Sequence, residues 1–155
     1  MAGLREKYQN ELNFAELDLD RMKKDIEIPP VEKVTLAIAR EKNLLDHYEW
    51  KVYLINNNLF PIENTLVASK GYGEKDGETQ RTSTLRHFLQ TVPEQSTAAI
   101  ESIDTSVFHL NNEYWVSYYV GNQIHDKKFV FVPDSICEIN LIFIKELQLE
   151  GVLHS

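Results

Sequence analysis

The chain is predicted to be mostly β, an immunoglobulin-like antiparallel β-sandwich of seven or eight strands behind an N-terminal helical extension. Three observations carry this. From Glu49 to Val132 the sequence is a succession of short runs rich in Val, Ile, Tyr, Phe, Trp and Thr, the side chains that suit a pleated, half-buried surface. Asn56-Asn57-Asn58, Gly71 to Glu78, Pro93-Glu94-Gln95 and Gly121-Asn122 separate those runs with turn chemistry about every ten residues. Ahead of Pro29-Pro30 the period changes, which divides the chain into a helical extension over 1–28 and a sandwich domain over 29–155 with its C-terminal tail packed on it.

In the extension, Leu4, Tyr8, Leu12, Ala15, Leu19, Met22 and Ile26 recur at spacings of four and three, the stripe along one side of an α-helix. Phe14 and Leu17 fall off it. Such a stripe packs on its own domain, or docks on a partner or a second copy. Val34, Leu36 and Ile38 then alternate with Thr35, Ala37 and Ala39, which predicts a first strand over 32–40 rather than a helix opened by Pro30. Residues 41–48 connect it to a strand at Trp50–Ile55. The three asparagines read as a turn because Asn tolerates positive φ and bonds its own backbone. Ile62–Ser69 follows, then a mobile hairpin loop over Gly71–Glu78 and a strand at Thr79–Leu89. After the Pro93 reversal come a strand at Ser96–Ile103, a crossover at Asp104–Leu110, and a hairpin of Tyr114–Val120 with Lys127–Val132. Residues 133–155 are expected to lie across the sandwich or over its open edge.

A chain of 155 residues buries roughly 70% of its unfolded surface, enough for one core without covalent staples. The net charge of −8 speaks against an electrostatic grip on nucleic acid or an anionic membrane. Cys137, the single cysteine, excludes an intramolecular disulfide and a multi-cysteine zinc site, and is read as a small buried hydrophobe. The first residues lack the apolar run of a signal peptide, and no segment approaches the ~20 apolar residues of a membrane span. A cytoplasmic protein is expected.

Catalytic signals are weak. Gly71-Tyr72-Gly73 begins like a phosphate loop, but the third glycine and the following helix pattern are absent. Ser83 and His87 would lie about 13 Å apart along a strand, too far for a nucleophile and its base. The five histidines show no metal-ligand spacing, and His125-Asp126 reads as a solvated hairpin tip. No catalytic residue, cofactor or metal is assigned. In Tyr114 to Val120, alternation puts Tyr114, Val116 and Tyr118 on one face and Trp115, Ser117 and Tyr119 on the other. One face enters the core. The other is covered by the helix or tail, contacts another protein, or stacks on a small ligand.

Trp50-Lys51-Val52-Tyr53-Leu54-Ile55-Asn56, Ser69-Lys70-Gly71-Tyr72-Gly73, Thr82-Ser83-Thr84-Leu85-Arg86-His87-Phe88, Asn112 to Ser117 and Asp126 to Phe131 together resemble a small family of bacterial proteins of uncharacterised function. Members often carry the label phenylalanyl-tRNA synthetase alpha subunit. The resemblance covers about residues 26–155 and implies bacterial origin and a cytoplasmic setting. It carries over no catalytic residue, because Gly71-Tyr72-Gly73 lacks the downstream Arg of the synthetase glycine motif and the chain cannot hold a class II catalytic domain.

The expected function is thus a non-enzymatic protein-interaction module, a subunit or accessory of a larger bacterial complex or a homodimer, contacting its partner through Leu12, Leu19, Tyr72, Trp115 and Tyr119. The alternative is a small-ligand-binding or enzyme-accessory domain, linked to aminoacylation only through the family label.

Overall fold

The computed structural model describes residues 32–155, so the helical extension, with Leu12 and Leu19, lies outside the described residues. The described part is mostly β, with ten strands in two antiparallel sheets. The first sheet has the order β6-β2-β1-β10-β9, from β1 (Val34–Lys42), β2 (Tyr48–Asn56), β6 (Ser96–Ile103), β9 (Ile142–Ile144) and β10 (Leu149–His154). In the second, β3 (Ile62–Lys75) pairs with β4 (Glu78–Arg81), β5 (Leu85–Val92) and β7 (Asn111–Val120), and β7 pairs with β8 (Gln123–Phe131).

The alternation in β1 holds. Val34, Leu36 and Ile38 are fully buried, and they join Val52 and Leu54 of β2 against Val67, Tyr114, Val116, Tyr118 and Phe129 of the other sheet. Ala37 and Ile55 on the opposite face are also buried, beneath Leu147 and Ile144, because the β9–β10 connection folds back over that face. A strand covered on both faces reads as near-continuous apolar sequence, as Val34 to Ala39 does.

Several expectations need correction. The Gly71–Glu78 segment is not a loop: β3 runs through Gly71 and Gly73 to Lys75, and the reversal is the pair Asp76-Gly77 at φ 53° and 80°. Two positive φ angles make this the primed turn whose twist matches its flanking strands. The strand expected over Thr79–Leu89 is two, broken at Thr82-Ser83-Thr84. Opposite Gly71 the Thr82 side chain enters the ladder, its Oγ1 accepting the Gly71 N–H at 2.7 Å while the Thr82 N–H donates to the Gly71 carbonyl at 2.9 Å. The tail is no mere cover. Its residues form β9 and β10, and β10 is hydrogen-bonded between β1 and β9, with Gly151 opposite Ala39. His125 and Asp126 lie within β8, on opposite faces, because the hairpin turns at Gly121-Asn122. Cys137 is only partly buried.

The asparagine cluster is a turn for the second of the two expected reasons, local side-chain bonding to backbone, and not the first. None of Asn56, Asn57 and Asn58 has positive φ. Asn56, with no exposed surface, is a hub: its Nδ2 donates to the carbonyls of Phe60, Val92 and Pro93 at 3.1, 3.2 and 3.0 Å, and its Oδ1 accepts from the backbone N and Nδ2 of Asn58, both at 3.0 Å. The side chain thereby ties the β2–β3 turn to the end of β5. Asn58 in turn donates to the Glu32 carbonyl at 3.1 Å, fixing where the chain enters β1.

Candidate functional site

Two surfaces carry more than packing requires. The first is the outer face of the β3–β5–β7–β8 sheet. Register places Phe88, Leu66, Ser117 and Asp126 in one row across it, and Arg86, Ala68, Trp115 and Lys128 in the next. Tyr119 pairs with Ile124 on the same face. Phe88, Leu66, Trp115, Tyr119 and Ile124 are each 37–59% exposed, whereas Tyr114, Val116 and Tyr118 on the other side of β7 are at most 2% exposed. Alternation therefore assigns the two sides of β7 as the sequence suggested. Tyr72 lies on the outer face as well, near the opposite end from Tyr119.

Around Tyr72 the face is polar. Its hydroxyl donates to Glu113 Oε1 at 3.4 Å, while Lys70 Nζ lies 3.5 Å from Glu113 Oε2 and Lys128 Nζ 3.9 Å from Oε1. Trp115 stands beside Asp126. Burial raises the Asp126 carboxyl above the usual carboxylate range, and the Trp115 indole N–H offsets this only in part. Asp126 Oδ1 is buried without a hydrogen-bond partner. On the inner side of β8, His125 stacks on Tyr118 at 5.1 Å between centroids, and its Nδ1 likewise lacks a partner. Leu12 and Leu19 cannot be placed on either side, whereas Tyr72, Trp115 and Tyr119 share this one face.

The second surface is a cleft of about 260 Å³ where the edge of β6 meets β3 and the Thr82–Leu85 segment. Glu101 projects into it from the first sheet, and its carboxylate is held by the second: Oε2 accepts from Ser69 Oγ at 3.1 Å and lies 2.9 Å from His87 Nε2. The Tyr114 hydroxyl lies near the same carboxylate. Burial, first, and then the adjacent carboxylate push that hydroxyl far above the ordinary phenol range. Only 12% of the Glu101 side chain is exposed. Sequence reasoning missed this cluster because its members come from four strands. A register shift in β6 opposite Val52 and Tyr53 also moves Glu101 to the inner side, out of step with a simple alternation.

Neither surface resembles a nucleophile site. His87 meets Glu101, and Ser83 lies in the break before β5. Among the described residues no three His, Cys, Asp or Glu side chains are grouped to hold a metal ion, and no helix is long and apolar enough to cross a membrane. Comparison of the chain with protein families, with curated proteins and with solved structures finds no match.

Proposed function

We propose that the protein is a non-enzymatic interaction module, an immunoglobulin-like β-sandwich that associates through the outer face of its β3–β5–β7–β8 sheet. The single observation behind this is the set Phe88, Leu66, Trp115, Tyr119 and Ile124, all exposed on one face of a sheet whose other face is the core. An apolar and aromatic set with Arg86, Lys128 and Glu113 on the same face has the composition of a protein contact, in which aromatic and Arg side chains dominate binding.

Its occupant is the amphipathic segment 4–26, delivered by a second copy. The chain enters β1 at Glu32, whose carbonyl is held by Asn58 and whose carboxylate helps, after burial, to push the Tyr118 hydroxyl up to about 12. This is the end of the molecule where Tyr119 lies. Five residues, 27–31, span at most about 17 Å, and a helical stripe from Leu4 to Ile26 would be roughly 33 Å long, so the segment reaches such a face readily. A stripe of that kind is marginal in water until a surface covers it. Bacterial origin and an accessory role beside aminoacylation rest on the sequence resemblance alone.

The test compares wild type with Leu12→Asp/Leu19→Asp and with Trp115→Asp by size-exclusion chromatography with light scattering and by thermal melting. A wild-type dimer that both variants lose at an unchanged melting midpoint is the expected result. A wild type that stays monomeric, with either variant lowering the midpoint, would assign the segment to its own domain and overturn the homotypic reading. The inter-sheet cleft favours a second reading, that of a small-ligand-binding domain.

A further inference from the structure

Glu101 occupies an inward position of β6 where an aliphatic side chain would fill the space at lower cost, since burying a carboxylate is unfavourable unless it is paired and hydrogen-bonded. Its Oε2 already takes Ser69 and His87. A carboxylate offers about four lone-pair sites, so the group retains acceptor capacity toward the cleft. Most other polar groups there are committed. Thr82 Oγ1 accepts from Gly71 N and donates to the Ser83 carbonyl, and the Asn112 amide donates to the Val107 and Leu110 carbonyls. Lys70 borders the cleft but sends its ammonium to Glu113 on the outer face. A second carboxylate, Asp104, stands at the rim, and Leu85, Ile103 and Val107 supply an apolar wall. The cleft therefore offers acceptors and negative charge beside a short hydrophobic surface, and its volume is just below the ~300–1,000 Å³ of ordinary ligand pockets.

We propose that this cleft binds a small alkylammonium group, the nitrogen donating to Glu101 and the alkyl chain lying against Leu85, Ile103 and Val107. This is independent of the docking face on the other side of the sheet. An ammonium brings three donors and no acceptor, which matches what the cleft leaves open, whereas an anion finds no uncommitted cationic side chain on the lining. The nitrogen belongs to a free amine or to a lysine side chain of another protein.

The full-length protein is titrated with n-butylammonium, n-butanol and butyrate while amide chemical shifts are recorded. Saturable shifts at Ser69, Glu101, Ser102 and Tyr114 with butylammonium are expected, with butanol at least about tenfold weaker and butyrate silent. Nα-acetyl-lysine amide, measured alongside, assigns the lysine source if it binds more tightly than butylammonium and the free amine if it does not. Glu101→Gln should abolish saturation. Because that change also touches the tie between sheets, Ser83→Arg supplies a second variant, placing positive charge at the mouth outside the buried cluster; about a tenfold loss of butylammonium affinity is expected. Absence of saturable shifts through about 50 mM, equal binding of butanol, or full affinity in Ser83→Arg would each overturn the proposal and leave Glu101 as an inter-sheet tie.

Discussion

Asn56→Asp isolates the donor half of the asparagine hub, because the substitution keeps shape and keeps the oxygen that accepts from Asn58. It removes both Nδ2 hydrogens, which serve the carbonyls of Phe60, Val92 and Pro93. Two hydrogen bonds contribute about 1 kcal/mol each net, and a carboxylate facing three carbonyl oxygens without exposure adds a desolvation and repulsion term of similar size or larger. A loss of about 3–4 kcal/mol at pH 7 follows, and at about 2–4 °C per kcal/mol for a domain of this size the melting midpoint should fall by roughly 6–16 °C. The sign of the pH effect is fixed by burial. The folded-state pKa of the new Asp is raised, so protonation contributes stability that is fully present below the unfolded value of about 3.9 and lost as pH rises through the raised value. A protonated Asp regains one O–H donor. The gap between variant and wild type, followed by circular-dichroism melts from pH 8 to 5, should therefore narrow as pH falls. A midpoint within about 2 °C of wild type at pH 7, or a gap that does not change with pH, would refute the hub as the tie between the β2–β3 turn and β5.

Gly151→Ala tests the close approach of β10 to β1: the added Cβ would stand 2.7 Å from the Ile38 carbonyl oxygen and 2.8 and 2.9 Å from Ala39 Cα and Cβ. Backbone cannot swing aside as a flexible side chain can, so a loss of about 1–3 kcal/mol is expected, read as a fall of roughly 2–12 °C in the melting midpoint. An unchanged midpoint would contradict the register of Gly151 opposite Ala39. Asp126→Asn should raise stability at pH 7, where the ionised carboxylate is poorly solvated, and the gain should vanish as pH drops below about 4, where the wild-type group is protonated in both folded and unfolded chains. A variant less stable than wild type at pH 7 would show that Asp126 is stabilised by contacts its burial does not reveal.

The strands were legible where the local pattern and the tertiary surroundings agree. Val34, Leu36 and Ile38 of β1 and the two faces of β7 fall at alternate positions because that side of each strand meets the core, and β6 matches its expected bounds although a register shift breaks its alternation at Ile100 and Glu101. The Gly121-Asn122 reversal was legible because only a residue comfortable at φ 58° suits that turn position. Strands β9 and β10 escaped notice since they are short and Gly151 interrupts the apolar pattern of β10; their place is set by pairing with β1, which no local window contains. The split of Thr79–Leu89 depends on Thr82 meeting Gly71 from another strand. Of the candidate site, Trp115 and Tyr119 followed from alternation alone. Phe88, Leu66 and Ile124 join them only through cross-strand register, and the Ser69–Glu101–His87 cluster only through the apposition of two sheets.

Pairing of β1 with β10 has a consequence for how the molecule is made. Leu36 lies opposite His154, so a ladder near the centre of the first sheet joins segments almost the whole described length apart. Contacts this distant in sequence raise contact order, and loop closure must precede any gain from the pairing, which slows folding relative to a meander of neighbouring strands. During synthesis, β1 and β2 leave the ribosome long before β10 does. Until it arrives, one edge of β1 offers unpaired N–H and C=O groups, and the apolar side bearing Ala37 and Ile55 lacks its later cover. The nascent chain is thus exposed to strand addition from a neighbouring chain over that interval, a hazard that ends when the last strand is inserted.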